Sequence, residues 1–381
     1  MTLQPHLSRA NAEEQGLTTD GVNNLVRRDE LLRLTGAIPI YTLKHLALSS
    51  GVEWGFLRSV IRRDARFAYR SIRIPKRTGG FRNLQSPCDD LMIAQRWILH
   101  EVLPVVVSHP NSYAYREGTK TRDCAARHAG AAWMIKTDLH NYFPAVSERS
   151  VYRVFRSLGY SPLLSFEMAR ICTWPRPNEI GQSVPEAIAS SDRGGYPYSS
   201  GIEGALPQGA PTSGALANAA TRKLDETLTA FALNARLVYT RYSDDMAFSS
   251  SEPFDRPRAA SLISEIRRIV TASGFEIHQQ KTKIIPPGAR KMLLGMMITD
   301  DGVAILPEHR RRIDLYIHCV ERFGPTQFAK TRKFDSAISF INHVEGWLAY
   351  LSHIDPVWTK IHSSKWNAAL ASHQVFSRVL H

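Results

Sequence analysis

RYSDDMAFSS, residues 241–250, sets two aspartates side by side, Asp244 and Asp245, between runs that read as β-strand. Leu237, Val238 and Tyr239 lead in and Met246, Ala247 and Phe248 lead out, so the stretch predicts a short hairpin with its turn at Tyr242 to Asp245. Both carboxylates then stand at one exposed tip. Two anions that close raise each other's pKa and resist joint ionisation unless a cation neutralises them, which points to a divalent metal. Aspartate is also an ordinary turn former, so for the pair alone a solvated acidic turn is the other reading. A third carboxylate on a neighbouring strand would decide between the two.

MIKTDLHNYFP, residues 134–144, supplies a candidate. Asp138 follows the apolar run Trp133 to Ile135, so a buried strand would hold it rigidly while its side chain projects from the strand's end. If the two segments are sheet neighbours, Asp138, Asp244 and Asp245 converge on an oxygen site suited to Mg2+. Hard oxygen ligands without His or Cys argue against zinc. Two magnesium ions about 3.5–4 Å apart on such a site would activate a 3′-hydroxyl and stabilise a leaving pyrophosphate in in-line phosphoryl transfer.

The chain has 381 residues, 43% of them hydrophobic, enough to bury a substantial core and to form two or three subdomains around one catalytic unit. Its 48 Lys and Arg against 35 Asp and Glu give a formal charge of +13 and a pI near 9.7, which suits a polyanionic partner. Between Arg62 and Arg127 there are 13 basic residues and 6 acidic ones, so the positive charge is concentrated as along a nucleic-acid track. An inert basic surface is the alternative. Cys88, Cys124, Cys172 and Cys319 lie too far apart for a paired metal motif or a dense disulfide framework, and fit a reducing cytosol. The opening MTLQPHLSRANAEEQG has no apolar core of signal-peptide length and no stretch approaches a membrane span. A soluble, cytoplasmic protein with no membrane partner is expected.

Along the chain, apolar residues at three-to-four spacing predict helix over residues 24–66. FAYRSIRIPKRTGGFRNLQSP, residues 67–87, predicts a basic hairpin turning at Gly79 and Gly80. Leu91, Ala94, Ile98 and Val102 line one face of a core helix between Asp89 and Val107, and a short helix is expected over 120–130. A strand ends near Asp138, and helices follow to about residue 174. GQSVPEAIASSDRGGYPYSSG, residues 181–201, reads as a surface loop. Helices are expected at Thr212 to Ala232 and Arg258 to Ala272, on either side of the hairpin, then strands to about Ile305 and helix beyond Pro307.

Taken in order, these stretches resemble the reverse transcriptases, and within them the bacterial retron-type enzymes, over residues 60–305. IPKRTGGFRNLQSP (74–87) resembles the fingers hairpin, and IKTDLHNYFPAVS (135–147) the motif of the first metal aspartate. LPQGAPTSGALAN (206–218) resembles the motif behind the incoming nucleotide, and YSDD (242–245) the family's Tyr-x-Asp-Asp box. HQQKTKI (278–284) and ARKMLLGM (289–296) are similar to the lysine motif and the primer grip.

The resemblance implies an α+β right-hand polymerase fold: a helical extension over 1–60, fingers over 61–130 with a fingers–palm loop over 175–210, a palm over 131–305 and a helical thumb over 306–381. It implies RNA-directed DNA polymerase activity, with Asp138, Asp244 and Asp245 catalytic and two Mg2+ ions held by Asp138, Leu139, Asp244 and Asp245. Lys76 and Arg82 would hold the nucleotide triphosphate, Phe143 would exclude a ribose 2′-hydroxyl, and Gln208 would lie beside the sugar or base. Lys281 would assist the departing pyrophosphate, and Leu294 and Gly295 would grip the primer.

The chain departs from its relatives in places: Cys124 replaces an Asn in CAARH (124–128), LLG ends at Gly295 where Val-Thr-Gly is usual, and Gly214 replaces a proline. His128 in CAARH reads as structural, because a metal mechanism needs no imidazole. The basic clusters Arg310, Arg311, Arg312 and Lys330, Arg332, Lys333 read as two helix starts in the thumb, where cations oppose the dipole and an external anion, such as RNA phosphate, would compensate. The implied partners are a cognate structured non-coding RNA and its DNA product, dNTPs and an effector or toxin protein, in anti-phage defence. The alternatives are another phage-defence or abortive-infection reverse transcriptase, or a catalytically silent RNA-binding scaffold.

Overall fold

A computed structural model of the protein describes residues 18–64, 67–76, 79–175, 203–252 and 254–373. The loop expected over residues 181–201 lies outside them. In chain order the helices are α1 Thr19–Thr35, α2 Leu43–Ser50, α3 Trp54–Arg62, α4 Asp89–Trp97, α5 Thr121–Ala126, α6 Tyr142–Ala145 and α7 Glu148–Ser157. They continue with α8 Pro162–Cys172, α9 Ser213–Asn234, α10 Arg256–Ala272, α11 Pro307–Thr331, α12 Ala337–Ser352 and α13 Pro356–Ala371. The strands are β1 Tyr69–Pro75, β2 Phe81–Pro87, β3 Trp133–Asp138, β4 Trp174–Pro175, β5 Gly204–Ala205, β6 Val238–Tyr242 and β7 Asp245–Ser250, then β8 Lys283–Ile285, β9 Met292–Leu293, β10 Met296–Ile298 and β11 Val303–Ala304. Among the described residues, no helix is long and apolar enough to cross a membrane.

The chain divides into two compact units. The first comprises residues 1–117, 138–229 and 266–278. Its opening helical region is three helices, because Gly36 and Pro39 interrupt it after α1 and Gly51 ends α2 in the left-handed region, while the Thr42 side chain caps α2 by accepting from the His45 N–H. The basic hairpin forms as expected, paired in unbroken register from Tyr69↔Pro87 to Pro75↔Phe81. In α4 and the π-helical turn Ile98–Val102 that extends it, Leu91, Ala94, Ile98 and Val102 are all fully buried, the face that their spacing predicts.

This unit's core also contains a buried ionic knot. Glu148, at the start of α7, pairs with Arg63 (Oε2–Nη2 2.5 Å) and Arg170 (Oε1–Nε 2.7 Å), all three nearly inaccessible to water. The same Oε2 accepts the Gly204 N–H at 2.9 Å, and Arg63 also donates to the Thr173 carbonyl. Charges taken out of water need this many partners, because desolvation alone costs several kcal/mol per ion.

The second unit comprises residues 118–137, 230–265 and 279–381. Its four-stranded sheet has the order β6-β7-β3-β8. Strand β3 is central and buried on both faces, with only Lys136 reaching the surface, which suits its run of Trp, Met and Ile. A second sheet, β11-β10-β9, leads into the helical end of the chain. Met134, Ala247, Leu293 and Met296 share one hydrophobic cluster with Ile313, Phe340, Val344 and Trp366, so sheets and helices close on a common core. The caps are legible in sequence: Ser336 accepts from the Ser339 N–H to start α12, and Asp355 accepts from the Trp358 N–H, with Pro356 at the first position of α13.

Helix α11 is kinked: Gly324 takes φ 75° and ψ 160° before Pro325, whose ring and missing N–H cannot continue the ladder. One expectation about the helical end is corrected. Lys330, Arg332 and Lys333 do not start a later helix. Lys330 lies in the last turn of α11 and Arg332 is its C-cap, so these cations stand at the negative end of the dipole and need no external anion.

Candidate active site

Strands β6 and β7 pair from Val238↔Ser249 to Tyr242↔Asp245, leaving Ser243 and Asp244 as a two-residue turn. Ser243 takes φ 59°, a left-handed conformation that costs a non-glycine residue about 1–2 kcal/mol. The fully buried Arg241 braces it, donating from Nη1 to the Ser243 carbonyl at 2.8 Å. Asp244 is half-buried and Asp245 exposed. The chain around Asp245 nonetheless removes enough water that burial is the largest influence raising its carboxyl pKa. Asp244 adds to that rise, while Lys136 and Lys281 oppose it.

Beneath the turn the hairpin is pinned by a buried histidine. His128 lies 2.7 Å through Nδ1 from Ser249 Oγ on β7 and 2.7 Å through Nε2 from Thr240 Oγ1 on β6. Burial holds its pKa down to about 4, with Arg127 contributing, so the ring is neutral at pH 7. The expectation of a satisfied structural histidine therefore holds. Cys124, one turn earlier on α5, bonds to the same Thr240, and burial pushes its thiol up to about 11. The residue that departs from the family pattern still joins the hairpin's support.

The Ala132 N–H donates to the Ser250 carbonyl at 2.8 Å, which places the start of β3 against the end of β7, an antiparallel arrangement. Strand β3 therefore runs toward the end of the sheet that carries the Asp244 turn, and its last residue is the buried Asp138. The next residue, Leu139, is buried and bridges to Ile277, and the Asp138 carbonyl accepts the His278 N–H at 2.7 Å. On β3 the Thr137 hydroxyl lies 2.9 Å from that of Thr282, beside the exposed Lys281. Among the described residues, no three His, Cys, Asp or Glu side chains stand together as a metal-holding group. The chemistry of the carboxylates nevertheless fits a divalent cation: all are hard oxygen donors, and the mutual repulsion of Asp244 and Asp245 is what such an ion would relieve.

Sequence reading missed Lys136. Its Nζ donates to the Met292 carbonyl at 3.1 Å, burial lowers its pKa, and its charge acts on Asp245. The signal was available, because on a strand Lys136 shares a face with Asp138.

Of the nucleotide candidates, Lys76, Arg82, Phe143 and Gln208 lie in the first unit and Lys281 in the second. Lys76 and Arg82 are exposed on the basic hairpin, Arg82 opposite Ile74 and Lys76 closing the turn through its N–H to the Gly80 carbonyl. Gln208 is half-buried, and its carbonyl accepts the Gln85 N–H of β2 at 2.8 Å, so it is a fixed residue rather than loose loop. Phe143 is half-buried, with ring centroids of Tyr142 at 5.4 Å and Tyr115 at 5.9 Å.

Leu294 and Gly295 form the turn between β9 and β10, with φ of 50° and 79°. A Cβ on Gly295 would lie 2.7 Å from the Tyr350 hydroxyl, which itself donates to the Leu294 carbonyl at 3.3 Å. The glycine thus has a reason inside the fold, in the seat of the turn against α12. Arg310 likewise has internal partners: Nη2 pairs with Asp355 at 3.0 Å and the guanidinium lies over Trp358. Arg312 lies over Trp347, and Arg311 is exposed.

A family model described as reverse transcriptase (RNA-dependent DNA polymerase) matches residues 74–298. Retron Mx162 reverse transcriptase of Myxococcus xanthus is 33% identical over 288 residues, 72% of this chain but only 57% of that protein's length. Retron Ec86 reverse transcriptase of Escherichia coli is 28% identical over 326 residues, 85% of this chain and 88% of that protein. Among solved structures, a telomerase from Candida albicans aligns with 80% of this chain and 56% of its own at 10% identity and a TM-score of 0.41. The family match takes in the turn and second strand of the basic hairpin, the paired aspartates and the β9–β10 turn, and on it the chain belongs to the reverse transcriptase family, with the α+β right-hand polymerase fold.

Proposed function

We propose that the protein is a retron-type RNA-directed DNA polymerase that copies part of a cognate structured RNA into single-stranded DNA joined to that RNA, in defence against phage. The observation that carries this reading is the β6–β7 turn. A strained serine, a buried arginine and a buried histidine all serve to present Asp244 and Asp245 at one tip. No stability argument calls for two like charges there.

In this reading residues 61–130 act as fingers, 131–305 as palm and 306–381 as thumb. Asp138, Leu139, Asp244 and Asp245 would hold the magnesium. Two bound ions would supply the charge that lowers the barrier to attack by a primer 3′-hydroxyl and to departure of pyrophosphate. The chain's own residues position the reactants. Lys76 and Arg82 take the triphosphate, Gln208 lines the sugar or base, Phe143 stands against a 2′-hydroxyl, and Lys281 meets the departing pyrophosphate. Leu294 and Gly295 seat the primer. Arg311, with Arg312, meets RNA phosphates, since A-form RNA is read through backbone and shape. An effector protein is the further partner of such a system.

Primer extension and RNA binding, measured on Asp138→Asn and Asp244→Asn, test the proposal. DNA synthesis is expected to vanish while RNA binding persists, and synthesis near the parent level would overturn the metal assignment. Sequencing nucleic acid that co-purifies with the protein should recover an RNA encoded near its gene, covalently joined to short DNA. Heterogeneous RNA without linked DNA would favour a different defence reverse transcriptase.

A further inference from the structure

One face of helix α9 organises the surroundings of Phe143. Gly214, Asn218 and Thr221 stand at successive turns of that helix, spaced i, i+4 and i+7, and so share a face. Thr221 Oγ1 lies 3.2 Å from the hydroxyl of Tyr142, the residue before Phe143. Asn218, fully buried, accepts from the Ser112 hydroxyl at 2.9 Å and donates to the Ala114 carbonyl at 2.6 Å, which clamps the segment 112–114 against the helix. The clamp delivers Tyr115, at φ 56°, over Gly214. A Cβ on Gly214 would lie 2.5 Å from Tyr115 Cδ1 and 2.9 Å from its Cβ, so the tyrosine occupies the space that any larger residue there would need. Its ring then meets Phe143 at 5.9 Å between centroids, with the planes tilted by 60°.

Each part of this arrangement has an energetic counterpart. A non-glycine residue with left-handed φ is strained by about 1–2 kcal/mol, and Tyr115 bears that strain while keeping 52% of its surface exposed. The buried Asn218 clamp holds it there. What it brings within reach is Phe143, whose ring also lies 5.4 Å between centroids from that of the anchored Tyr142. The phenyl ring thus has two tyrosine neighbours, each referred to helix α9.

We propose that Tyr115 is a positioning residue for sugar selection: seated on Gly214, it holds the Phe143 ring in the attitude that rejects a ribose 2′-hydroxyl. The inference rests on the proposed role of Phe143 and adds a second residue, and a glycine that admits it, to the determinant of specificity.

The test uses the full chain on a primer–template, measuring single-nucleotide insertion with deoxyribo- and ribonucleotides and separating kcat from KM for each. Phe143→Ala should raise the ratio of kcat/KM for ribo- over deoxyribonucleotide by about 10–200-fold, the range for one side chain's volume in a pocket. Tyr115→Ala should raise it by about 10-fold, chiefly through the ribonucleotide KM. Gly214→Ala should do the same, because its methyl displaces the tyrosine while alanine suits the helix. Tyr115→Phe should keep the parent ratio, since the ring does the positioning. The double variant Tyr115→Ala with Phe143→Ala should be no more relaxed than Phe143→Ala alone. An unchanged ratio in Phe143→Ala overturns the reading on which the inference rests. A relaxed Phe143→Ala with parent-like Tyr115→Ala and Gly214→Ala, or full additivity in the double variant, overturns the inference alone.

Discussion

Lowering the pH from 7 to 5 should weaken the β6–β7 hairpin through one proton. His128 is 1% exposed, both ring nitrogens are engaged by hydroxyls, and burial depresses its pKa from 6.5 to about 4. The unfolded chain accepts a proton near pH 6.5, whereas the native protein refuses it until about pH 4. Above 6.5 both states are neutral there and the histidine adds no pH dependence. Below 6.5 the unfolded state alone is protonated, and stability falls by about 1.4 kcal/mol per pH unit until the native ring also titrates. Between pH 7 and pH 5 the loss is about 2 kcal/mol, and it approaches about 3 kcal/mol by pH 4. Other groups titrate over the same range, so the measurement is a difference. Urea unfolding of the parent and of His128→Gln, which keeps hydrogen-bonding capacity without a titrating ring, is followed at both pH values. With a slope of about 3 kcal/mol/M or more for a chain of this size, the parent midpoint should fall by about 0.5 M further than that of the variant. Equal acid sensitivity in the two proteins would refute the argument, because it would mean that the ring gains or loses no protons differently on unfolding.

Two further outcomes follow from the ionic contacts. Glu148→Gln leaves Arg63 and Arg170 buried against a neutral amide and should destabilise the first unit by about 3–5 kcal/mol, read as a large fall in thermal midpoint, while Glu226→Gln, in the exposed pair with Arg222, should leave that midpoint within a degree or two. Arg310→Ala should cost about 1 kcal/mol of stability through the lost Asp355 pair and Trp358 contact, whereas Arg311→Ala should leave stability intact, weaken RNA binding and reduce the slope of log affinity against log salt by about one. Thermal melts and salt-titrated binding separate the two arginines.

Local features of the fold were legible. The hairpin between Val238 and Ser250 follows from apolar runs on either side of a turn-forming pair, and the buried face of α4 follows from the spacing of Leu91, Ala94, Ile98 and Val102. The end of β3 at Asp138 was legible because an apolar run precedes it. What sequence reading missed depends on partners distant in sequence. Nothing near Arg310 announces that Asp355 will neutralise it, and the same holds for the convergence of Glu148, Arg63 and Arg170. Lys330, Arg332 and Lys333 were placed on the wrong end of a helix because charge drew the reading, while the next helix actually begins at the hydroxyl of Ser336. Gly214 looked like a departure from a family pattern; its reason is the ring of Tyr115, 99 positions earlier.

The two-residue turn at Ser243 and Asp244 has a consequence for how such chains diverge. Every residue of β6 has a cross-strand partner up to Tyr242↔Asp245, and successive side chains face opposite sides of the sheet. Replacing one side chain perturbs one contact, but inserting or deleting a single residue would turn every side chain along a strand to the opposite face of a hairpin buried on both faces and swing the aspartates off the tip. The segment from Val238 to Ser250 is therefore a ruler of fixed length: its letters can be exchanged one at a time with local effect, whereas a change in their number re-faces a whole strand.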